Sequence, residues 1–245
     1  MRKAYIVTDK LLSRERLLSA AKREFAECGY EGSRLGSIAR KAGVNQALIH
    51  YYFRSKEQLY HEVVRRLFGA DVTDDLQARF GPWALAPAEG LMAALYFFVN
   101  FHHGGIDPDF NKIVAREIAE GRENIKSLLN TYFVPRIEAL EEIIKSGVQA
   151  GVFETSNTLL TVLNIVSLVI SYEANREHYK DTPLFNRLYG KLSHGDFFDF
   201  VVEHVFKALR PEGKVLKVPV LPDGLTVMID AVIKELKQRQ RWLEL

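Results

Sequence analysis

Between Ser33 and Phe53 the chain has room for two short helices, one tight turn and little else. Ser33 suits a helix N-cap. Leu35, Ile38, Ala39 and Ala42 then recur at the three- and four-residue spacing of a single helical face. Gly43 follows, in the place of a left-handed residue that stops a helix. A turn of about three residues leads into a second helical stretch from near Gln46 to Phe53. Two short helices joined by a glycine-containing turn are the mark of a helix-turn-helix.

The flanks extend the pattern. A preceding helix is expected from about Lys10 to Cys28, with Leu18, Ala21, Phe25 and Cys28 as its inner stripe. On that face Cys28 would be an ordinary buried thiol. A following helix starts after Ser55, and Ser55 to Gln58 fits the S-x-x-Q form of a capping box. Farther along, Gly81-Pro82, Pro87, Gly104-Gly105, Pro108, Gly151, Pro183, Gly190, Gly195 and Pro211 mark breaks. Apolar residues between them keep helical spacing, and no sustained alternation points to a sheet. The expected fold is all-α throughout, with roughly nine or ten helices.

The four consecutive ring-bearing residues His50-Tyr51-Tyr52-Phe53 cannot all face inward, because successive helical residues are about 100° apart. With Leu48, Ile49 and Tyr52 on the inner face and Phe53 plugging the helix end, Asn45, Gln46, Ala47, His50 and Tyr51 point outward. That outer set suits a DNA major groove. Gln and Asn can pair with adenine edges and Ala can touch a thymine methyl. Tyr and His can donate to phosphate oxygens. Lys56, opening the next helix, offers its charge and the free amides of the helix start. Arg34 and Arg54 add positive charge nearby. Residues 1–66 carry 14 Lys and Arg against 7 Asp and Glu, a charge of +7, while the rest of the chain carries −5. A basic end on an acidic body is consistent with one end meeting a polyanion.

Residues 16–60, RLLSAAKREFAECGYEGSRLGSIARKAGVNQALIHYYFRSKEQLY, resemble the DNA-binding domain of TetR-family transcriptional regulators. The matching features are Ala20-Ala21, Phe25, Gly29-Tyr30, Ile38-Ala39, Ala42-Gly43-Val44, Tyr52-Phe53 and Ser55-Lys56-Glu57. The resemblance implies an all-α homodimer. Its small N-terminal three-helix helix-turn-helix domain would bind double-stranded DNA. A larger helical domain would dimerise and take a small-molecule effector. Carried over by position, Gln46 with Asn45 and Ala47 would read bases. His50, Tyr51 and Lys56 would hold the backbone, and Ser33 and Arg34 would lie at the same interface. Three positions depart from the family pattern. His50 stands where Tyr is common, Arg34 where Ser or Thr is usual, and Gly36 where a polar or charged residue is frequent.

The expected division is residues 1–66 for DNA binding, 67–211 for effector binding and dimerisation, and 212–245 as a C-terminal extension. In the body, Phe97, Phe98, Phe101 and Phe110 with His102 form an aromatic cluster beside a Gly-Gly break, the expected effector pocket. Asn164 and Glu173 are added as polar members. Two apolar stripes, Leu163, Val166 and Ile170 with Phe198, Val201 and Val205, are the expected dimer face. The most apolar stretch, Thr158 to Tyr172, is shorter than the roughly 20 residues of a membrane helix, so a buried or interface helix is expected and no membrane partner. His102, His103, Asp107 and Asp109 fit no metal spacing, and no nucleophile motif, P-loop or GxGxxG accompanies them. No metal, cofactor or catalytic residue is therefore expected. An enzyme using the His102–Asp109 segment is the weaker alternative, as is a regulator answering to a protein partner. A single cysteine excludes an intramolecular disulfide, and the N-terminus lacks a signal-peptide core, so the cytoplasm is expected. The extension closes with an amphipathic segment, Leu225 to Leu243. Leu225, Ile229, Val232, Leu236 and Leu243 lie on one side, and it is expected to pack on its own or a partner subunit.

Overall fold

Glycines place the first breaks. In the computed structural model, which describes residues 2–67, 83–104, 107–120, 126–127 and 129–240, helix α1 spans Arg2–Gly32 but is interrupted at Gly29, with φ 70° and ψ 177°. Helix α2 (Leu35–Lys41) ends before Gly43, whose φ of +64° favours a residue without Cβ. Helices α3 (Ala47–Phe53) and α4 (Lys56–Leu67) follow. Then come α5 (Pro87–His102), α6 (Pro108–Glu120), α7 (Val134–Gln149) and α8 (Thr158–Ala174). The chain continues through α9 (Arg176–Tyr179), α10 (Pro183–Leu188), α11 (His194–Ala208) and α12 (Asp223–Gln240). A single π turn, Leu129–Phe133, leads into α7. No strand occurs among the described residues, so the fold is all-α. No helix among them is long and apolar enough to cross a membrane.

The chain divides into two compact units. The first holds α1 to α4 together with α6. Leu17, Leu18, Phe25, Ile38, Ile49, Tyr60 and Val63 fill its centre. Phe25 and Tyr30 both meet Tyr60 edge-on, at 5.0 and 5.1 Å between ring centres, which pins α1 to α4. Ion pairs tie the same two helices: Arg14 to Glu62 at 2.7 Å, and Arg66 to Glu15. Helix α6 packs on α1, its Ile113 is buried, and Lys22 meets Asp107 at 2.7 Å. The sequence assigned α6 to the body. Its packing on α1 comes from contacts distant in the chain.

Two local expectations need correction. Cys28 is exposed rather than buried. The inner stripe of α1 runs through Ala21, Glu24 and Phe25 instead, and the break at Gly29 ends it one turn early. Ser33 is not the N-cap of α2; Arg34 occupies that position, without a side-chain cap. Ser33 is buried, and its hydroxyl donates to the carbonyl oxygens of Glu24 and Gly29, closing the kink of α1.

The second unit holds α5, α7 to α11, and α12 as far as Lys237. Its core combines Leu91, Leu95 and Val99 of α5 with Ile144, Ile165, Val169, Val201 and Val205. Helix α12 seals the other side of α5, where Leu225, Ile229 and Ile233 meet Ala93, Phe97 and Phe101. Val232 and Leu236 continue that contact. Lys237 then donates to the carbonyls of Asn100 and His103, at 3.0 and 2.8 Å, satisfying the open end of α5. The C-terminal helix thus packs within its own chain. Leu243 lies outside the described residues.

Candidate nucleic-acid interface

Helix α3 has seven residues, so its two faces are sharply separated. Ile49 and Phe53 are buried, and Leu48 and Tyr52 half-buried, which holds the helix to its scaffold. Asn45, Gln46, Ala47, His50 and Tyr51 are exposed, Tyr51 at 64%. Arg34 and Arg54 are exposed beside them. Tyr51 is braced edge-on by Tyr52, with ring centres 4.9 Å apart. His50 donates from Nδ1 to the carbonyl of Arg54 at 3.2 Å, which leaves Nε2 as its second polar atom. Of the residues assigned to DNA from sequence, Ser33 is buried and Lys56 half-buried; the other six are exposed.

The structure assigns further roles within the set. The side-chain oxygen of Asn45 accepts the backbone N–H of Ala47 at 2.8 Å. Asn45 therefore starts α3, a positioning role that the Asn-x-Ala spacing signals. Ser55 accepts from the Gln58 N–H at 3.1 Å, the expected half of the capping box of α4. Lys56 is drawn over the Tyr30 ring, 4.7 Å from its centre, and donates to the Glu31 carbonyl at 3.3 Å. Behind the exposed face, Glu24 joins α1 to α2. It accepts from Ser37 at 3.1 Å and lies 2.8 Å from Lys41. Burial alone would push its carboxyl up; the bonds from Lys41 and Ser37 win and hold it below the usual range.

The comparisons with known proteins agree with this geometry. Residues 17–63 match the family described as bacterial regulatory proteins, tetR family. The HTH-type transcriptional regulator RutR of Escherichia coli is 44% identical over 209 residues, covering 80% of this chain and 89% of its own. The chain belongs to the TetR family of transcriptional regulators. It is similar also to the HTH-type transcriptional repressor NicS of Pseudomonas putida, 28% identical over 81% of this chain and 92% of NicS. Among solved structures, HlyIIR, a hemolysin II transcriptional regulator, is 26% identical with a TM-score of 0.55, covering 83% of this chain and 99% of HlyIIR. The chain is a DNA-binding regulator, and its exposed α3 is where the family match and the groove-compatible side chains coincide.

The body of this TetR-family chain redistributes the remaining candidates. Phe97 and Phe101 stack at 5.5 Å, and Phe98 meets His102 edge-on at 4.5 Å. Phe110 lies on α6, in the first unit. Phe97 and Phe101 are covered by Val232 and Leu236 of α12. His102 donates from Nδ1 to the Phe98 carbonyl at 2.8 Å. Desolvation, with the charges of Arg136 and Lys237, lowers its pKa to about 4, so the ring is neutral. Glu173 is buried, 3.7 Å from His103, and His103 stacks on His194 at 3.6 Å. His194 in turn meets the Asn100 side-chain oxygen at 2.9 Å. His103, His194, Asn100 and Lys237 were not legible as neighbours of Glu173, because Glu173 is on α8 and they come from α5 and its C-cap, α11 and α12. Asn164 stands apart, exposed on the opposite side of α8. Asp107 and Asp109 pair with Lys22, at 2.7 and 3.6 Å.

The dimer candidates also split. Val201 and Val205 are 0% and 2% exposed within a single chain, so they belong to its own core. Val166 and Phe198 are half-buried against that core, and Ile170 is half-buried. The outward apolar residues are Leu159, Leu160 and Leu163 on α8 and Phe200 on α11, with Leu160 at 63% and Phe200 at 54%. Leu160 was missed because α8 is apolar around most of its circumference, and Phe200 because it lies among Asp196, Asp199 and Glu203 on the wet side of α11, away from that helix's apolar stripe.

Proposed function

We propose that the chain is a ligand-responsive repressor that binds a pseudo-palindromic operator as a homodimer. The observation that carries this reading is the exposed amide, methyl, imidazole and phenol set of Gln46, Ala47, His50 and Tyr51 on one short helix. Gln46 and Ala47 read base edges, while His50, Tyr51, Arg34, Arg54 and Lys56 meet phosphates. Lys56 leaves the Tyr30 ring to do so, exchanging a cation–π contact for a charge-assisted hydrogen bond.

Dimerisation places two copies of α3 in successive major grooves. Leu160, Leu163 and Phe200 support a shared helical interface of α8 and α11, since large apolar groups on adjacent helices are stable when covered. Residues 1–66 serve DNA, residues 67–211 serve dimerisation and the effector, and the extension stabilises α5. The effector is small and partly apolar, and its site draws on Phe98, His102 and Glu173. It binds better to the conformation in which the two α3 helices are misplaced for DNA, so linkage lowers operator affinity. NicS of Pseudomonas putida, to which the chain is similar, is named a transcriptional repressor.

The test is fluorescence anisotropy of the full-length protein on the DNA upstream of its own gene, over a series of salt concentrations. Affinity is expected to fall steeply as salt rises, and to be lost in a Gln46→Ala, Tyr51→Ala double variant that still melts cooperatively. Retention of full affinity by that variant would overturn the assignment of α3.

A further inference from the structure

Gly36 is the second residue of α2 and is exposed. Its φ is not in the left-handed region, so the backbone does not require glycine there. In a helix, glycine is a poor choice without such a need. The reason lies across the turn. A Cβ added at position 36 would stand 3.2 Å from Oε1 of Gln46, closer than ordinary contact, which begins at 3.4 Å. The Gln46 side chain, leaving the N-cap of α3, thus crowds the place that a side chain on α2 would take. Its neighbour Asn45 is committed to the Ala47 N–H at 2.8 Å. Of the two adjacent amides, Gln46 is the one that lies beside the bare backbone of Gly36.

The geometry points to Gly36 as a specificity-determining residue. By lacking a side chain it lets the Gln46 amide lie low on α2, and so sets where that amide meets a base edge. This rests on the reading of α3 as the base-reading helix. A bidentate amide–adenine pair tolerates little displacement. A methyl at position 36 moves Oε1 by a few tenths of an ångström, and a longer side chain moves it more.

The experiment uses full-length protein and a duplex selected from a randomised library by the unsubstituted chain, followed by its single base-pair variants. Gly36→Ala and Gly36→Gln are the test proteins, with Gln46→Ala and the double variant G36A/Q46A as controls. Ala and Gln are both better helix formers than Gly, so both substitutions are expected to raise the melting temperature. Despite that gain, both are expected to lose discrimination, about tenfold for Gly36→Gln and less for Gly36→Ala, at the base pair where Gln46→Ala loses it. In the double variant the two effects should not add. Unchanged base preference in both Gly36 variants would overturn the inference. So would a shift that persists in full without Gln46, or a fall in melting temperature, which would make the glycine a requirement of the fold. Full discrimination by Gln46→Ala would overturn the reading of α3 itself and this inference with it. A sensitive Gln46 beside insensitive Gly36 variants would overturn the role of Gly36 alone.

Discussion

Helices α3 and α8 both leave large side chains in solvent, with opposite chemistry. On α3 the outward groups are an amide, an imidazole and a phenol, flanked by Arg34 and Arg54. On α8 they are Leu159, Leu160 and Leu163, joined by Phe200 from α11. The first surface can stay wet until a polyanion displaces its water. The second has no polar atoms to hydrate, and gains free energy when another apolar face covers it. Exposure alone therefore does not define a functional surface; its meaning depends on the hydrogen-bonding capacity of what is exposed.

The largest effect should come from charging the apolar face. Leu160→Glu with Phe200→Glu buries four unpaired carboxylates in the proposed dimer. Sedimentation equilibrium is expected to give monomers at concentrations a thousandfold or more above the original dissociation constant, on the order of several kcal/mol. Dimers of unchanged affinity would break the contrast between the two helices. Next in size is the hidden side of α3. Ile49→Ala should cost about 2–5 kcal/mol in chemical denaturation, whereas Tyr51→Ala should leave stability within about 0.5 kcal/mol and weaken DNA binding. Equal destabilisation by both would show that the outward face also holds the fold together.

Acid separates the two units. His102 has a folded pKa of about 4, below its ordinary 6.5. The unfolded chain takes up its proton first, so the stability from a neutral His102 is complete above pH 6.5 and lost as pH falls toward 4, by up to about 3 kcal/mol. Glu24 is held below its ordinary 4.5, so its contribution is complete above that pH and falls only below it. Amide exchange at pH 5 should therefore speed up in α5 and α12 before α2 and α3, and His102→Gln should flatten the response. Simultaneous loosening of both units would count against this account. The smallest effect is expected for Lys56→Ala: about one unit less in the slope of log affinity against log salt, with little change in base preference. An unchanged slope would mean that Lys56 stays on Tyr30 when DNA binds.

Spacing alone determined much of this protein. The all-α class, the turn at Gly43, the inward Ile49 and Phe53, and the outward Gln46, His50 and Tyr51 were all legible. A seven-residue amphipathic helix between strong stop signals has only one face that can be buried. The tertiary structure decided what lies beyond such local rules. It placed Val201 and Val205 inside and Leu160 and Phe200 outside: α8 is apolar nearly all round, so its pattern cannot choose a side, and the apolar stripe of α11 is taken up by the chain's own core. It turned Ser33 inward and Cys28 outward, because one kink at Gly29 redirects α1. It brought His103, Glu173, His194 and Lys237 together from separate helices, and set Gln46 over Gly36. Those arrangements depend on neighbours distant in the chain, which residue spacing does not encode.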